Sequence, residues 1–241
     1  MKSNKITGRI NSIQSMGTLD GPGVRFVVFL QGCPLRCKCC HNPDTWDFGS
    51  GQEIDPVDIV NKALRFKEYF GQNGGITVSG GEPLMQIDFV RKIFELCHIS
   101  GINTCLDTSG CILNENVLSL LDITDRVLLD VKYASDELYR ENVGCSLDAP
   151  IKFLDCLCEK GIPTTLRQVI IPTMNDNEES VLMLKSLAEA HKNVDKIELL
   201  PFRKICQVKY DNMGIDFPFA SIPEPTKEKM DALQAIINQI S

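Results

Sequence analysis

The chain has 241 residues, and 43% of them are hydrophobic, which is enough for one core of ordinary size. Its 25 lysines and arginines against 32 aspartates and glutamates give a net charge of −7. A nucleic-acid-binding protein usually shows a basic patch, and no basic run occurs in this sequence, so we expect no nucleic-acid partner. No apolar stretch reaches the roughly 18 residues of a membrane-spanning helix, so we expect no membrane span and no membrane partner.

The N-terminus and the cysteines both favour a cytoplasmic protein. Residues 1–5 lead directly into a strand-like segment, without the hydrophobic region of a signal peptide. The eleven cysteines are an odd number, and a reducing compartment disfavours a disulfide framework. The scattered cysteines outside residues 33–40 are therefore expected to be small buried hydrophobic residues.

The first part of the chain opens with two predicted strands, 6–13 and 24–31, joined by a glycine-rich turn at 17–23. The nearly continuous apolar run of the second strand is typical of a parallel strand buried on both faces. Asp55 and Pro56 then form a typical helix N-terminus, an N-cap residue followed by proline.

Strand-like and helix-like segments continue to alternate up to the C-terminus. A short strand ends in the turn 79–83, and the helix after it carries apolar residues from Phe89 to Cys97 and stops near Gly101. The later predicted strands are 104–107, 126–131, 164–171 and 196–200. The later predicted helices are 114–122, segments between 135 and 160, 178–191 and, after a loop, a last helix with Met230, Leu233, Ile236, Ile237 and Ile240.

This alternation predicts a mostly parallel sheet wrapped by helices. Six βα units follow from Val24 onward, fewer than the eight of a closed barrel. The predicted fold class is therefore α/β, as an open, partial (β/α)6 barrel with right-handed crossovers. Residues 1–241, without linker or repeat, are predicted to form a single domain with its core at 16–241.

The most specific motif is the cysteine loop, which we define as residues 32–42. Cys33, Cys37 and Cys40 are spaced C-x3-C-x2-C, which places three sulfurs in a short loop. Three thiolates suit an iron–sulfur cube better than a lone metal ion, and a [4Fe–4S] cluster usually takes four cysteines. Three ligands leave one iron open to a small molecule. Alternatively, Cys37 and Cys40 are plain thiols or half of a structural zinc site, although no second C-x2-C or H-x3-H pair follows.

Polar residues follow the predicted parallel strands, at the strand ends where parallel barrels place their chemistry. These residues lie in 79–83, 107–110, 130–132 and 201–203, with Arg167 inside the fifth strand. Because the carboxyl ends of parallel strands meet at one edge, we expect these residues to converge. A carboxylate after an apolar strand, such as that of Asp130, needs a partner if it is buried.

The cysteine loop resembles the cluster-binding motif of radical S-adenosylmethionine enzymes, and Gly80, Gly81 and Glu82 match the Gly-Gly-Glu motif of that family. Glycines let a backbone approach a ligand closely. The resemblance implies a partial barrel, one [4Fe–4S] cluster and S-adenosylmethionine bound to its open iron. It also implies that Glu82 and neighbouring carbonyls receive the ammonium group of S-adenosylmethionine.

The resemblance extends the cofactor pocket to charged residues of later strands. Lys132 and Arg167 are expected to hold the carboxylate or ribose of S-adenosylmethionine, with a surface ion pair as the alternative. Asp107, Thr108 and Asp130 resemble positions that bind a monovalent cation near the cofactor. The implied metal ligands and catalytic residues are Cys33, Cys37 and Cys40, and the implied cofactor-binding residues are Cys39, Cys40, His41, Gly80, Gly81, Glu82, Asp107, Asp130, Val131, Lys132, Arg167 and Arg203.

Further segments are similar to the subgroup of this family that activates glycyl radical enzymes, most closely to the activators of pyruvate formate-lyase. They are 17–26, 40–47, 105–110, 129–132 and 197–202, which together span nearly the whole chain. Activators of glycerol-dehydratase-type enzymes usually carry a cysteine-rich insert after the cysteine loop, and residues 41–79 contain no cysteine. Activators of anaerobic ribonucleotide reductase are usually much shorter.

The function implied by this resemblance is the creation of a glycyl radical in a partner protein, foremost pyruvate formate-lyase (formate acetyltransferase). Reductive cleavage of S-adenosylmethionine at the cluster gives a 5′-deoxyadenosyl radical, which abstracts a glycine Cα hydrogen. A flavodoxin- or ferredoxin-type protein is the implied electron donor, and anaerobic glucose metabolism the implied setting. The alternatives are an activator of another glycyl radical enzyme, a radical enzyme acting on a small molecule (such as a deazapurine-forming ring contraction) and a non-catalytic zinc module.

Two positions depart from the family pattern. The residue before the third cluster cysteine is usually aromatic and packs near the adenine, whereas this chain has Cys39, whose backbone is still able to contact adenine. We predict that Cys39 is not a cluster ligand. Arg203 stands where members of the subgroup often have histidine, and a contact from this position to the cofactor is expected.

Overall fold

The structure, a computed structural model, describes residues 6–238, which form two compact units. The first unit contains 6–34, Thr45–Thr108 and Ile112–Leu128. The second unit contains Leu35–Asp44, Ser109–Cys111 and 129–238. The single domain over 1–241 stays a prediction.

The first unit is built on antiparallel and parallel strand pairs with helices between them. Its strands are β1 (Gly8–Gly17), β2 (Arg25–Leu30), β3 (Gln52–Ile54), β4 (Gly75–Gly80) and β5 (Asn103–Thr108). Its helices are α1 (Pro56–Leu64), α2 (Lys67–Phe70), α3 (Ile87–Ile99) and α4 (Glu115–Leu121), with a 3₁₀ turn at Pro83–Gln86. β1 pairs antiparallel with β2 and β3, whereas β2 with β4 and β4 with β5 pair in parallel.

The second unit continues the alternation. Strand β6 (Arg126–Asp130) begins in the first unit and ends in the second. It is followed by α5 (Asp136–Asn142), α6 (Asp148–Lys160), β7 (Thr164–Ile170), α7 (Glu178–Ala190), β8 (Val194–Pro201), α8 (Gln207–Met213) and α9 (Lys227–Asn238). β7 and β8 pair in parallel, with Leu166 opposite Ile197.

The strand order confirms the predicted fold class. It is β3-β1-β2-β4-β5-β6 in the first unit and β6-β7-β8 in the second. Within the described part of the chain, β3 pairs only with β1 and β8 only with β7, so the sheet is open. Strands β2 and β4–β8 are the strands of the six predicted βα units.

Local chemistry explains why these elements form where they do. β2 is almost entirely buried, as its apolar sequence predicts for a strand covered on both faces. Asp55 caps α1 by accepting a hydrogen bond from the Val57 backbone N–H (2.8 Å), with Pro56 at the first helical position.

The structure differs from the predicted elements in four places. The short helix α2 is not predicted by the sequence. β1 runs on to Gly17, so the glycine-rich turn begins at the end of a strand. The short strand β3 is not predicted by the sequence, and α8 lies in a segment that the sequence predicts to be a loop. Residues 1–5 and Ile240 lie outside the described residues. Within the described range, no helix combines the length and apolar character needed to span a bilayer.

Candidate functional site

In the first unit, the backbone at the start of the cysteine loop is fixed on both sides of Gly32. Gly32 N–H donates to the Thr45 carbonyl (2.7 Å), and Cys33 N–H to that of Trp46 (3.4 Å). Gly32 has a φ of 93°, and a Cβ at this position would lie 2.6 Å from the ring of Phe48. Glycine is therefore required at the exit from β2, directly before Cys33.

The Gly-Gly-Glu turn after β4 packs directly against this exit. Gly81 N–H donates to the Leu30 carbonyl and Glu82 N–H to the Gly32 carbonyl, both at 2.9 Å. A Cβ on Gly81 would lie 2.3 Å from the Gly32 carbonyl oxygen, and Gly80 has a φ of 106°. The two glycines thus allow the close backbone contact that holds this turn beside Cys33.

Two carboxylates of the first unit are held by hydroxyl groups of neighbouring strands. The Glu82 side chain is buried, and its Oε1 accepts from Thr108 Oγ1 (2.6 Å) and from the Leu84 backbone N–H (3.1 Å). Asp107 Oδ2 accepts from Ser79 Oγ (2.7 Å). The predicted residues Gly80, Gly81, Glu82 and Asp107 therefore occur together at the ends of β4 and β5.

In the second unit, the rest of the cysteine loop docks on the C-terminal end of α5. Lys38 N–H donates to the Asn142 carbonyl (2.9 Å), and Arg36 N–H to that of Val143 (3.4 Å). Cys40 N–H donates to the Cys37 carbonyl (3.0 Å), so Cys37 and Cys40 belong to one tight turn. The Tyr210 hydroxyl donates to the Cys40 carbonyl (3.3 Å) and ties this turn to α8.

Burial governs the ionisation of the loop thiols. It raises the pKa of Cys37 to about 11 and that of Cys39 to about 12, and Lys132, which has the next largest influence on both, opposes the rise. Cys40 also acts on both thiols, so these sulfurs lie within electrostatic range of one another. Cysteine binds metals as the thiolate, so a bound cation would be needed to deprotonate these buried thiols.

Asp130 at the end of β6, Lys132 just after it and Arg167 in the middle of β7 form a charged group. Lys132 Nζ lies 2.6 Å from Asp130 Oδ2, and Arg167 Nε lies 3.7 Å from Asp130 Oδ1. Burial opposes the charged form of Asp130, but Lys132 and then Arg167 outweigh it and lower the pKa of the carboxyl. Burial likewise opposes a charged Lys132, yet Asp130 holds the lysine pKa well above its usual value. All three side chains are therefore charged at neutral pH.

The backbone of Val131 and Lys132 is fixed by two buried amides that no sequence pattern singles out. Gln168 Nε2 donates to the Val131 carbonyl (3.0 Å), and Asn175 Nδ2 donates to the Lys132 carbonyl (2.9 Å). Neither residue belongs to a recognised motif. Tyr133 and Tyr210 near the cysteine loop were missed for the same reason.

His41 and Arg203 lie together through a backbone contact. His41 Nε2 lies 3.0 Å from the Arg203 carbonyl oxygen, and burial lowers the histidine pKa. The Arg203 guanidinium is exposed and pairs with Glu224, NH1 to Oε2, at 2.7 Å. His41 is therefore neutral at pH 7, and Arg203 faces an acidic partner of its own.

Among residues 6–238, no group of three or more histidine, cysteine, aspartate or glutamate side chains is arranged to hold a metal ion. The chemistry of the available donors still fits an iron–sulfur cluster, since soft thiolates are its preferred ligands and the loop carries closely spaced thiols. The ligand set Cys33, Cys37 and Cys40 stays a prediction.

Comparison with known proteins gives a family and near relatives. Residues 27–184 match the Radical SAM superfamily. The chain is 40% identical over 236 residues to a pyruvate formate-lyase-activating enzyme of Clostridium pasteurianum, covering 98% of this chain and 99% of that protein. It is 38% identical over 237 residues to the pyruvate formate-lyase 1-activating enzyme of Escherichia coli strain K12, covering 97% and 96%.

A solved structure shows the same fold. It is the crystal structure of a domain of a pyruvate-formate lyase-activating enzyme from Bacteroides vulgatus ATCC 8482, with a TM-score of 0.57 and 20% identity over 68% of this chain and 93% of that chain. The resemblance stated from the motifs is confirmed by the sequence relatives. The chain therefore belongs to the Radical SAM superfamily and, within it, to the family of the pyruvate formate-lyase-activating enzymes.

Proposed function

We propose that this chain activates a glycyl radical enzyme, foremost pyruvate formate-lyase (formate acetyltransferase), by creating a glycyl radical in it. The observation that carries this proposal is the 40% identity to a pyruvate formate-lyase-activating enzyme over almost the full length of both proteins. The cysteine loop and the Gly-Gly-Glu turn support it, because the structure holds Gly81 and Glu82 against the backbone that leads into Cys33.

The superfamily implies a [4Fe–4S] cluster and S-adenosylmethionine as cofactors. When bound, they supply a reductive cleavage of S-adenosylmethionine to a 5′-deoxyadenosyl radical, which is able to take a glycine Cα hydrogen. Cys33, Cys37 and Cys40 would bind the cluster as thiolates and leave one iron for S-adenosylmethionine. The backbone of the adjacent Cys39 would contact the adenine, and Cys40 and His41 would be further cofactor-binding residues.

The charged residues fit the two ends of an amino acid. Lys132 and Arg167, both of which lie close to Asp130, would hold the carboxylate. The buried Glu82 carboxylate would receive the ammonium group, with Thr108 Oγ1 fixing its position at 2.6 Å. Arg203 would contact the cofactor only by sharing or releasing Glu224.

The remaining parts of the proposal concern partners and setting. A monovalent cation would be bound near the cofactor by Asp107, Thr108 and Asp130. The electron would come from a flavodoxin- or ferredoxin-type protein. The expected setting is the cytoplasm of a cell in anaerobic glucose metabolism.

Electron paramagnetic resonance tests the proposed function directly. The reconstituted protein is incubated without oxygen with S-adenosylmethionine, a reductant and pyruvate formate-lyase, and the spectrum is searched for a glycyl radical doublet. The expected result is the doublet together with 5′-deoxyadenosine, both lost when Cys33, Cys37 and Cys40 are all changed to alanine.

Two outcomes would refute it in different ways. Normal turnover in the triple variant would contradict the cluster-based mechanism. Formation of 5′-deoxyadenosine without a doublet in any candidate glycyl radical enzyme would favour a radical enzyme that acts on a small molecule.

A further inference from the structure

Tyr133 carries a buried hydroxyl that the proposed function does not use. It follows Lys132 directly, and its side chain is fully buried. Among the described residues, its hydroxyl has no hydrogen-bond partner. Buried tyrosine hydroxyls usually have one, so this unpartnered hydroxyl indicates a hydrogen-bond acceptor that the described residues do not supply.

The ring of Tyr133 is fixed against the helix that receives the cysteine loop. Its centroid lies 6.3 Å from that of Tyr139 on α5, with an edge-on angle of 88°. The Tyr139 hydroxyl donates to the Asp130 carbonyl (3.3 Å). The end of the same helix accepts the hydrogen bond from Lys38 N–H, so Tyr133 and the loop are held by one element.

The Tyr133 hydroxyl interacts electrostatically with the thiols of the cysteine loop. Burial raises its pKa, and Cys39 and Cys37 raise it further, while Lys132 lowers it. The hydroxyl is therefore within electrostatic range of both thiols. It also stays protonated at neutral pH, so it is available as a hydrogen-bond donor.

We propose that the Tyr133 hydroxyl donates a hydrogen bond to a sulfur of the bound cluster on its Cys37 side and thereby raises the reduction potential of the cluster. The inference rests on the proposed function, because it requires the cluster. Hydrogen bonds to the sulfurs are among the factors that set the potential of iron–sulfur clusters. A donor favours the reduced cluster, which carries one more negative charge.

The test compares Tyr133→Phe with two matched variants after anaerobic reconstitution. Tyr69→Phe removes an exposed hydroxyl on α2. Tyr210→Phe removes a hydroxyl that is close to the loop but donates to the Cys40 carbonyl. For each protein, iron content is measured first, and the potential is then titrated by electron paramagnetic resonance. Resonance Raman spectra in H₂O and D₂O report hydrogen bonds to the sulfurs.

Tyr133→Phe is expected to bind as much iron as the wild type. At a fixed applied potential, its ratio of reduced to oxidised cluster should fall by about two- to tenfold, the size of one hydrogen bond's net contribution. The D₂O shift of its Fe–S bands should shrink, while both matched variants keep the wild-type shift. Its apoprotein should resist urea at least as well as the wild type, because an unpartnered buried hydroxyl is removed.

An unchanged potential and an unchanged D₂O shift in cluster-loaded Tyr133→Phe would overturn this inference and leave the proposed function standing. A less stable Tyr133→Phe apoprotein would also overturn it, since the hydroxyl would then have another partner. A wild-type protein that binds no iron would overturn the proposed function and this inference together.

Discussion

Cys39 stands between two predicted cluster ligands in sequence but differs from them in its surroundings. Only 7% of its surface is exposed, whereas Cys37 and Cys40 are partly accessible. Three cysteines suffice for a cluster with one open iron, and the C-x3-C-x2-C spacing already supplies them without Cys39. We therefore expect the Cys39 side chain to pack beside the cluster as a neutral thiol.

Cys39→Ala should bind as much iron as the wild type and show the same cluster absorbance after anaerobic reconstitution. Cys37→Ala is the matched variant and should lose most of both. Loss of the cluster in Cys39→Ala would show that this thiol is a ligand and that the assigned ligand set is wrong.

Arg25 shows how a single charged side chain stabilises the first unit. It is fully buried and donates to Thr77 Oγ1 (3.0 Å), to Asn103 Oδ1 (2.9 Å) and to the Ile76 carbonyl (2.5 Å). All these acceptors are neutral, and burial lowers the arginine pKa. The Thr77 hydroxyl in turn donates to the Asp20 carbonyl (2.7 Å), so the network also holds the glycine-rich turn.

Arg25→Met should lower the free energy of unfolding by about 2 to 4 kcal/mol, because several buried acceptors lose their donors at once. Urea denaturation followed by circular dichroism measures this change. Arg65→Met, at an exposed position after α1, should stay within about 0.5 kcal/mol of the wild type. Equal stability of the two variants would contradict the structural role of Arg25.

At the scale of elements, the turn after β4 depends on having no side chain at Gly81. A methyl group there would collide with the Gly32 carbonyl, and the chain would have to separate the two backbones. The hydrogen bond from Glu82 N–H to Gly32 would then be lost together with the position of the Glu82 carboxylate.

Gly81→Ala should therefore bind S-adenosylmethionine at least tenfold more weakly, a loss of about 1.4 kcal/mol or more. Equilibrium binding to the reconstituted protein is the measurement. Gly49→Ala is the matched variant, because a Cβ at Gly49 would meet only Asp47 at ordinary contact distance, 3.6 Å. Wild-type affinity in Gly81→Ala would show that the turn does not position the cofactor.

The segment that links α5 and α6 makes the stability of the fold depend on pH. Asp136 accepts from Arg140 Nε (2.6 Å), Ser146 Oγ (2.7 Å) and Leu147 N–H (2.9 Å), and these bonds lower its pKa from 3.8 to about 2. A carboxyl whose pKa is lower in the folded than in the unfolded protein stabilises the fold at pH values above its unfolded-state pKa. This contribution is lost as the pH falls through the folded-state pKa.

The urea midpoint of the wild type should therefore exceed that of Asp136→Asn at pH 5, and the difference should shrink as the pH falls from about 4 to about 2. Unfolding of the apoprotein at several pH values measures this. A difference that is constant over that range would mean that the ionised carboxylate is not what stabilises the link.

Across the whole molecule, the elements that could be predicted from the sequence are those defined by patterns of neighbouring residues. The apolar run of β2 and the Asp55–Pro56 start of α1 depend on neighbouring residues, and both are confirmed. α8 was missed because only Tyr210 among its residues is buried, which leaves no apolar periodicity to detect.

In the candidate site, the motifs could likewise be predicted from the sequence, whereas the contacts around them could not. The cysteine spacing and the Gly-Gly-Glu turn are short and local, so the order of residues along the chain is enough to indicate the family. Gln168 and Asn175 depend on residues distant in sequence, because they donate to the backbone carbonyls of Val131 and Lys132, which folding brings near. No spacing in a single sequence encodes such contacts.

The proposed mechanism depends on a [4Fe–4S] cluster held by three cysteines with one iron open to S-adenosylmethionine. Mössbauer spectroscopy of ⁵⁷Fe-reconstituted protein, with and without S-adenosylmethionine, tests it most directly. We expect about four irons per chain, one of which changes its spectrum when S-adenosylmethionine is added. A protein without iron, or a cluster in which no iron changes its spectrum when S-adenosylmethionine is added, would contradict the proposed mechanism.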